Sequence, residues 1–178
     1  MAHPSPFEVL RTLERRALAH GAELPSQEEY REEWVGVGFR LAGRELITPM
    51  EHVVELLKPP EMAPVPRTRP WVRGMANVRG TLLPVMDLNG FLGMEGSSAG
   101  HASRVLVVPI ENAYTGVLVD EVLGLRHFPM ESVRAAPRDV DGRYAGYVTG
   151  RVVHGGDNWL VFSMEALAAD PRFLQVAA

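Results

Sequence analysis

Three carboxylates and one arginine stand where they could do chemistry. Asp87 closes the apolar run Leu82 to Met86, Asp120 closes the run Tyr114 to Val119, and Glu55 sits inside Val53 to Leu57. An aspartate at a strand end is where a phospho-acceptor or a glycosidase carboxylate would be placed. A phospho-acceptor domain also needs strands alternating with helices and a lysine on a later strand, and the chain offers neither. Hydrogen bonding of turn amides is the plainer reading of Asp87 and Asp120. Glu55 poses a different problem, because a carboxylate among apolar neighbours needs a partner if it is even partly buried. Arg79 is the natural candidate. It lies in Trp71-Val72-Arg73-Gly74-Met75-Ala76-Asn77-Val78-Arg79-Gly80, where two glycines bracket Asn77 and turn chemistry should dominate. An exposed pair of this kind contributes only about 0.2 to 1 kcal/mol, so it suits fixing a loop for a partner better than holding a fold.

Catalytic templates fail one by one. There is no G-x-S-x-G elbow, no G-x-x-x-x-G-K-[ST] phosphate loop and no H-E-x-x-H. His3, His20, His52, His101, His127 and His154 never fall within a helical turn of each other, which removes a local metal pair. The chain has 0 cysteines, so thiolate nucleophiles, disulfides and Cys-based metal sites drop out. No enzyme, metal or cofactor is expected. A net charge of -4 argues against general nucleic-acid binding. Arg67, Arg69, Arg73 and Arg79 around Trp71 make the one stripe that a single-strand binder could use, but proline density and net acidity weigh against RNA.

At 178 residues and 46% hydrophobic composition, the chain can bury one core, or two lobes that share one. No run approaches the roughly 18 apolar residues of a membrane span, and the first residues do not read as a signal peptide. A soluble, cytoplasmic protein without membrane insertion is expected.

The elements that must position these residues begin with a helical arm over 1–33. Ser5 with Glu8 forms a capping box, Pro6 takes the first helical position, and Phe7, Leu10, Leu13 and Ala17 recur at helical spacing. Ser26 with Glu29 predicts a second, acidic helix. From Trp34 the period becomes two, giving a strand, the link Ala42-Gly43-Arg44 and a returning strand to Thr48. A third strand spans Val53 to Leu57. Pro59, Pro60, Pro64, Pro66 and Pro70 then favour an extended link. Pro84 places Leu82 to Met86 on an edge or at a bulge, since it has no N–H to donate. Leu88 to Leu92 reads as one helical turn ended by Gly93. Arg104 to Ile110 with Tyr114 to Val119, and Tyr147 to His154 with Trp159 to Phe162, read as hairpins, with a further strand over Val122 to Phe128. Residues 130–143 read as loop. Ser163 and Asp170-Pro171 cap short C-terminal helices within 163–178.

Many short strands with Gly/Pro turns, and helices only at the ends, predict a mainly β protein of two small barrels. The expected division is a domain over 34–170, with barrels over roughly 34–100 and 101–155 and strand exchange between them.

Val53-Val54-Glu55-Leu56, the proline link, Gly74-Met75-Ala76-Asn77-Val78-Arg79-Gly80 and Leu83-Pro84-Val85-Met86-Asp87-Leu88 resemble, in order, the signatures of the CheW-like chemotaxis coupling domain. Arg104-Val105-Leu106-Val107-Val108, Gly116-Val117-Leu118-Val119-Asp120-Glu121-Val122 and Tyr147-Val148-Thr149-Gly150 continue that order. The resemblance implies two five-stranded barrels sharing a core and no enzymatic activity. It also implies an adaptor between the cytoplasmic tip of a methyl-accepting chemoreceptor and the regulatory domain of a CheA-like histidine kinase, recruited to polar receptor arrays. Glu55 and Arg79 match the family's motif glutamate and arginine, and Val53, Leu56, Asn77 and Gly80 complete the implied protein-binding set. The arm, Trp34 to Arg40 and the ending Trp159 to Ser163 are similar to the PilI subtype, which serves type IV pilus twitching motility. Phe162-Ser163 departs from the Leu-Asp that many coupling proteins carry.

Overall fold

The computed structural model describes residues 6–19, 32–97, 100–110 and 113–177. They fall into two units, divided between Glu32 and Glu33. The first contains α1 (Pro6–Ala19), whose Phe7, Leu10 and Leu13 are exposed. The expected second helix of the arm and the Ser5 cap lie outside the described residues.

The second unit runs in order through β1 (Glu33–Leu41), β2 (Arg44–Pro49), β3 (Glu55–Leu57), β4 (Met62–Ala63), β5 (Val72–Val78), β6 (Thr81–Asp87), α2 (Leu88–Phe91), β7 (Arg104–Ile110), β8 (Ala113–Val119), β9 (Glu121–Pro129), β10 (Val133–Ala135), α3 (Gly142–Ala145), β11 (Val148–His154), β12 (Asp157–Phe162), α4 (Met164–Ala168) and α5 (Pro171–Leu174). The strands form two six-stranded sheets, ordered β10-β11-β12-β2-β1-β9 and β3-β7-β8-β6-β5-β4, in place of the five strands per barrel that the resemblance implied. Two hairpins make the centre of each sheet, joined by one parallel pair, β12 with β2 and β6 with β8.

Sequence order does not divide the sheets at 100/101. β1 and β2 leave the N-terminal half and pair with β9 and β12, while β3 to β8 build the other sheet. This exchange puts apolar faces of both sheets into one core. Val37, Phe39, Leu41 and Leu46 meet Met86, Leu106, Val117 and Val119 there, together with Met164, Leu167 and Phe173. Each fully buried side chain of this size stabilises the fold by about 1.5 to 3 kcal/mol. Each sheet also curls over a smaller cluster, Ile47, Phe128, Val152, Trp159 and Val161 in one, and Ala76, Val85, Val105 and Leu118 in the other.

Three local readings are corrected. Asn77 lies in a strand, and the turn is confined to Arg79-Gly80, because the chain from Val72 alternates against β6 after a bulge at Gly74. β6 is central, yet its pairing with β8 starts only at Val85, so Pro84 has a ladder neighbour on one side only. Residues 130–143 contain β10, the start of α3 and a 3-10 turn over Met130–Ser132, elements too short to show a period.

Candidate functional site

The link Arg79-Gly80 is a two-residue hairpin turn between Val78 and Thr81. Its φ values, 51° at Arg79 and 84° at Gly80, are those of a type I′ turn, whose twist matches the flanking strands. A Cβ at Gly80 would meet nothing, so glycine is needed there for its backbone freedom and not for space. The Gly80 N–H donates to Asn77 Oδ1 at 2.9 Å, which pins the turn from the strand below. Positive φ at a non-glycine residue costs about 1 to 2 kcal/mol. Ala42 has the same conformation in the β1–β2 turn, so the strain by itself marks a tight hairpin. What sets Arg79 apart is its contact.

Arg79 Nη2 lies 2.7 Å from Glu55 Oε1, and Nη1 donates to Oε2 at 3.4 Å. The pair predicted from the sequence is therefore present and two-pronged, a geometry that arginine's planar fork favours. It is also one-sided: the Glu55 side chain is 32% exposed and that of Arg79 is 79% exposed. β3 holds Glu55 by pairing with β7, opposite Val107.

The remaining predicted residues separate into two groups. Leu56 is exposed, as are Val54 and Leu82 beside the pair in sequence. Val53 is half-buried and packs against the main core, so it shapes the site from beneath. Val54, which the sequence reading did not single out, is exposed, and by alternation it shares the face of Leu56 and not that of Glu55. Asn77 and Gly80 set the turn.

Asp87 and Asp120 are occupied structurally. Asp87, 2% exposed, accepts from the Ser97 N–H at 2.9 Å and caps α2 through the Gly90 N–H. Asp120 accepts from the Ala42 N–H and Asn89 Nδ2, both at 2.7 Å, and from Ser97 Oγ at 2.8 Å. Nor is the arginine stripe one surface: Arg73 faces Asp87 at 3.9 Å, Arg79 faces Glu55, and Arg69 lies over the Trp71 ring. Among the described residues, no group of His, Asp and Glu could hold a metal ion, and no helix is long and apolar enough to cross a membrane.

Sequence reasoning missed a second polar cluster. The Tyr147 hydroxyl donates to Asp170, and Arg172 Nη2 donates to the same carboxylate at 2.7 Å and to the Tyr147 hydroxyl at 2.9 Å. The Arg172 guanidinium holds Asp170 well below the usual carboxylate range, and burial followed by the Asp170 bond pushes Tyr147 up to about 12. Asp170-Pro171 is visible as a helix start, but its bond to Tyr147 spans more than twenty residues and leaves no local signal.

Comparison with known proteins adds three findings. The CheW-like domain family model matches residues 35–172. Protein PilI of Pseudomonas aeruginosa is 42% identical over 173 residues, 97% of each chain, and protein FrzA of Myxococcus xanthus is 35% identical over 56% of this chain and 62% of its own. The crystal structure of the scaffolding protein TtCheW from Thermoanaerobacter tengcongensis superposes with a TM-score of 0.65 at 25% identity, covering 74% of this chain and 89% of that one.

Proposed function

Because the chain belongs to the CheW-like domain family, we propose that it is a non-catalytic adaptor coupling a methyl-accepting chemoreceptor to a CheA-like histidine kinase, with type IV pilus twitching motility as the output. The observation that carries this reading is the outward-facing Glu55–Arg79 pair on a pinned hairpin turn, with exposed Val54, Leu56 and Leu82 beside it in sequence. A charged fork on segments that also expose Val54, Leu56 and Leu82 fits a protein partner, since exposed apolar side chains can supply area and the pair can supply register. The candidate reactive carboxylates, Asp87 and Asp120, are already committed to backbone and side-chain donors.

The partners in this reading are the receptor's cytoplasmic tip and the kinase's regulatory domain. The adaptor works in the cytoplasm at polar receptor arrays, with no insertion into the membrane and no nucleic acid. Identity to FrzA and to several CheW proteins favours a second reading, a coupling protein of a flagellar or other array. Purifying the native complex and identifying the kinase in it separates the two. A receptor–adaptor–kinase complex supports the proposal. Acid-labile phosphate on Asp87 or Asp120 after incubation with a phospho-donor, with no such complex, overturns it.

A further inference from the structure

The C-terminal residues lie outside the Glu55–Arg79 surface and are anchored through one buried side chain. Phe173 is 1% exposed and meets Phe91 edge-on, with ring centroids 5.1 Å apart. Phe91 in turn meets Trp71 at 5.5 Å and Tyr147 at 6.1 Å, and Tyr147 meets Phe162 at 5.6 Å. This aromatic chain runs from the entrance of β5 to β12, so α5 is wedged between elements of both sheets. The Tyr147–Asp170–Arg172 cluster closes over the wedge, and the Arg172 guanidinium lies 5.7 Å from the Phe91 ring centroid.

Beyond α5 the tail reaches the proline link. The Val176 carbonyl accepts from the Arg69 N–H at 2.9 Å, and Ala177 bridges Thr68. The Arg69 carbonyl then accepts from the Val72 N–H at 2.9 Å, and the Trp71 carbonyl accepts from the Asp87 N–H at 2.7 Å. The link is the stretch of chain that joins β3, which carries Glu55, to the β5–β6 hairpin, which carries Arg79. At its end Trp71 is tied to Asp87 and packs on Phe91; before that, among the described residues, the link is held at two places. One is β4 on β5, where Ala63 comes so close to Gly74 that a Cβ there would lie 2.4 Å from the Ala63 carbonyl oxygen. The other is the C-terminal tail.

We propose that residues 170–177 form a clasp that anchors this link and so sets the position of Glu55 relative to Arg79, with Tyr147 and Asp170 as positioning residues for the pair. The clasp stands on the contacts above; its consequence for partner binding rests on the proposed docking role of the pair. Without the tail, Thr68 and the Arg69 N–H lose their only backbone partners on another element among the described residues, and the link between β4 and Trp71 gains freedom. Releasing the tail therefore loosens the entrance of β5 while Phe173 keeps its place in the core, at the cost of the half-buried Val176 contact.

The absence of cysteine makes the test direct. Cysteines introduced at the exposed positions Leu56 and Leu82 take spin labels, one next to Glu55 in sequence and one just after the Arg79-Gly80 turn, and the distance distribution is measured in the full chain, in a variant ending at Gln175 and in Tyr147→Phe. Amide exchange is followed in parallel. The clasp predicts a broadened distribution in both variants and exchange about tenfold faster at the Val72 and Asp87 amides, with β7 and β8 amides unchanged. An unchanged distribution, or exchange that rises equally everywhere, overturns it. Failure of the docking reading would show instead as unaltered partner binding by Arg79→Glu and would leave both readouts untouched.

Discussion

Asp120→Ala should lower stability far more than a surface aspartate can, because Asp120 ties together three donors from two parts of the chain. Ser97 and Asn89 are 4% and 2% exposed, so the Ser97 hydroxyl proton and one Asn89 amide proton lose their partner in a buried setting, while Asn89 Nδ2 keeps its bond to Ser97 Oγ. Each buried unpaired donor costs about 1 to 3 kcal/mol. The Ala42 N–H is exposed and can turn to water, so its loss costs about 0.5 kcal/mol, although the positive-φ turn at Ala42 loses its clamp. The total is about 2.5 to 6.5 kcal/mol, or roughly 5–26 °C in Tm for a chain of this size. Asp120→Asn keeps one acceptor oxygen and should lose about half as much. Urea unfolding followed by fluorescence and circular dichroism measures both, with an unchanged m-value showing that the loss is in the native state. A cost below about 1 kcal/mol for Asp120→Ala, well under the buried-donor penalty, together with lost kinase coupling in a fully folded variant, would refute the structural assignment and return Asp120 to the list of reactive groups.

Asn77→Ala removes the acceptor for the Gly80 N–H and should cost about 0.5 to 1.5 kcal/mol in stability while weakening partner binding; Asn77→Asp keeps an acceptor oxygen and should restore both, as titration calorimetry with the kinase's regulatory domain would show. Asp170 has a folded pKa below the ordinary carboxylate value, so its contribution is present above about pH 4 and is lost as pH falls through the folded value. Acid unfolding of Asp170→Asn should therefore show a deficit at pH 7 that narrows below about pH 4. Tyr147 works at the other end: with its pKa pushed up to about 12, its contribution is complete below about pH 10 and fades above it. Tyr147→Phe should be less stable at neutral pH and converge on the parent protein in alkali.

Much of the fold is legible in the residues because local rules and tertiary contacts agree. Period-two runs bounded by glycine and proline mark most of the longer strands, and Ser163 and Asp170 each accept an N-cap bond where a cap is expected. Which strands neighbour each other is not legible, since the pairing of β2 with β12 joins residues more than a hundred positions apart. Pro84 misleads for a related reason. Its missing donor forbids a ladder partner on one side, and only the register shows that β8 begins pairing one residue later. At the site, the Glu55–Arg79 pair is readable because a carboxylate in an apolar strand demands a cation. The exposure of Val54 in place of Val53 is not, because it depends on which face of β3 the core covers.

If Glu55 and Arg79 act as one docking unit, exchanging their charges should reveal it. Binding of the receptor tip and of the kinase's regulatory domain is measured for Arg79→Glu, Glu55→Arg and the double exchange, each checked for an unchanged fold. Each single change is expected to weaken binding by about tenfold or more, as for a lost charged contact at an interface, and the double exchange to recover binding beyond the sum of the two losses. Unaltered binding of both partners by all three variants would contradict it.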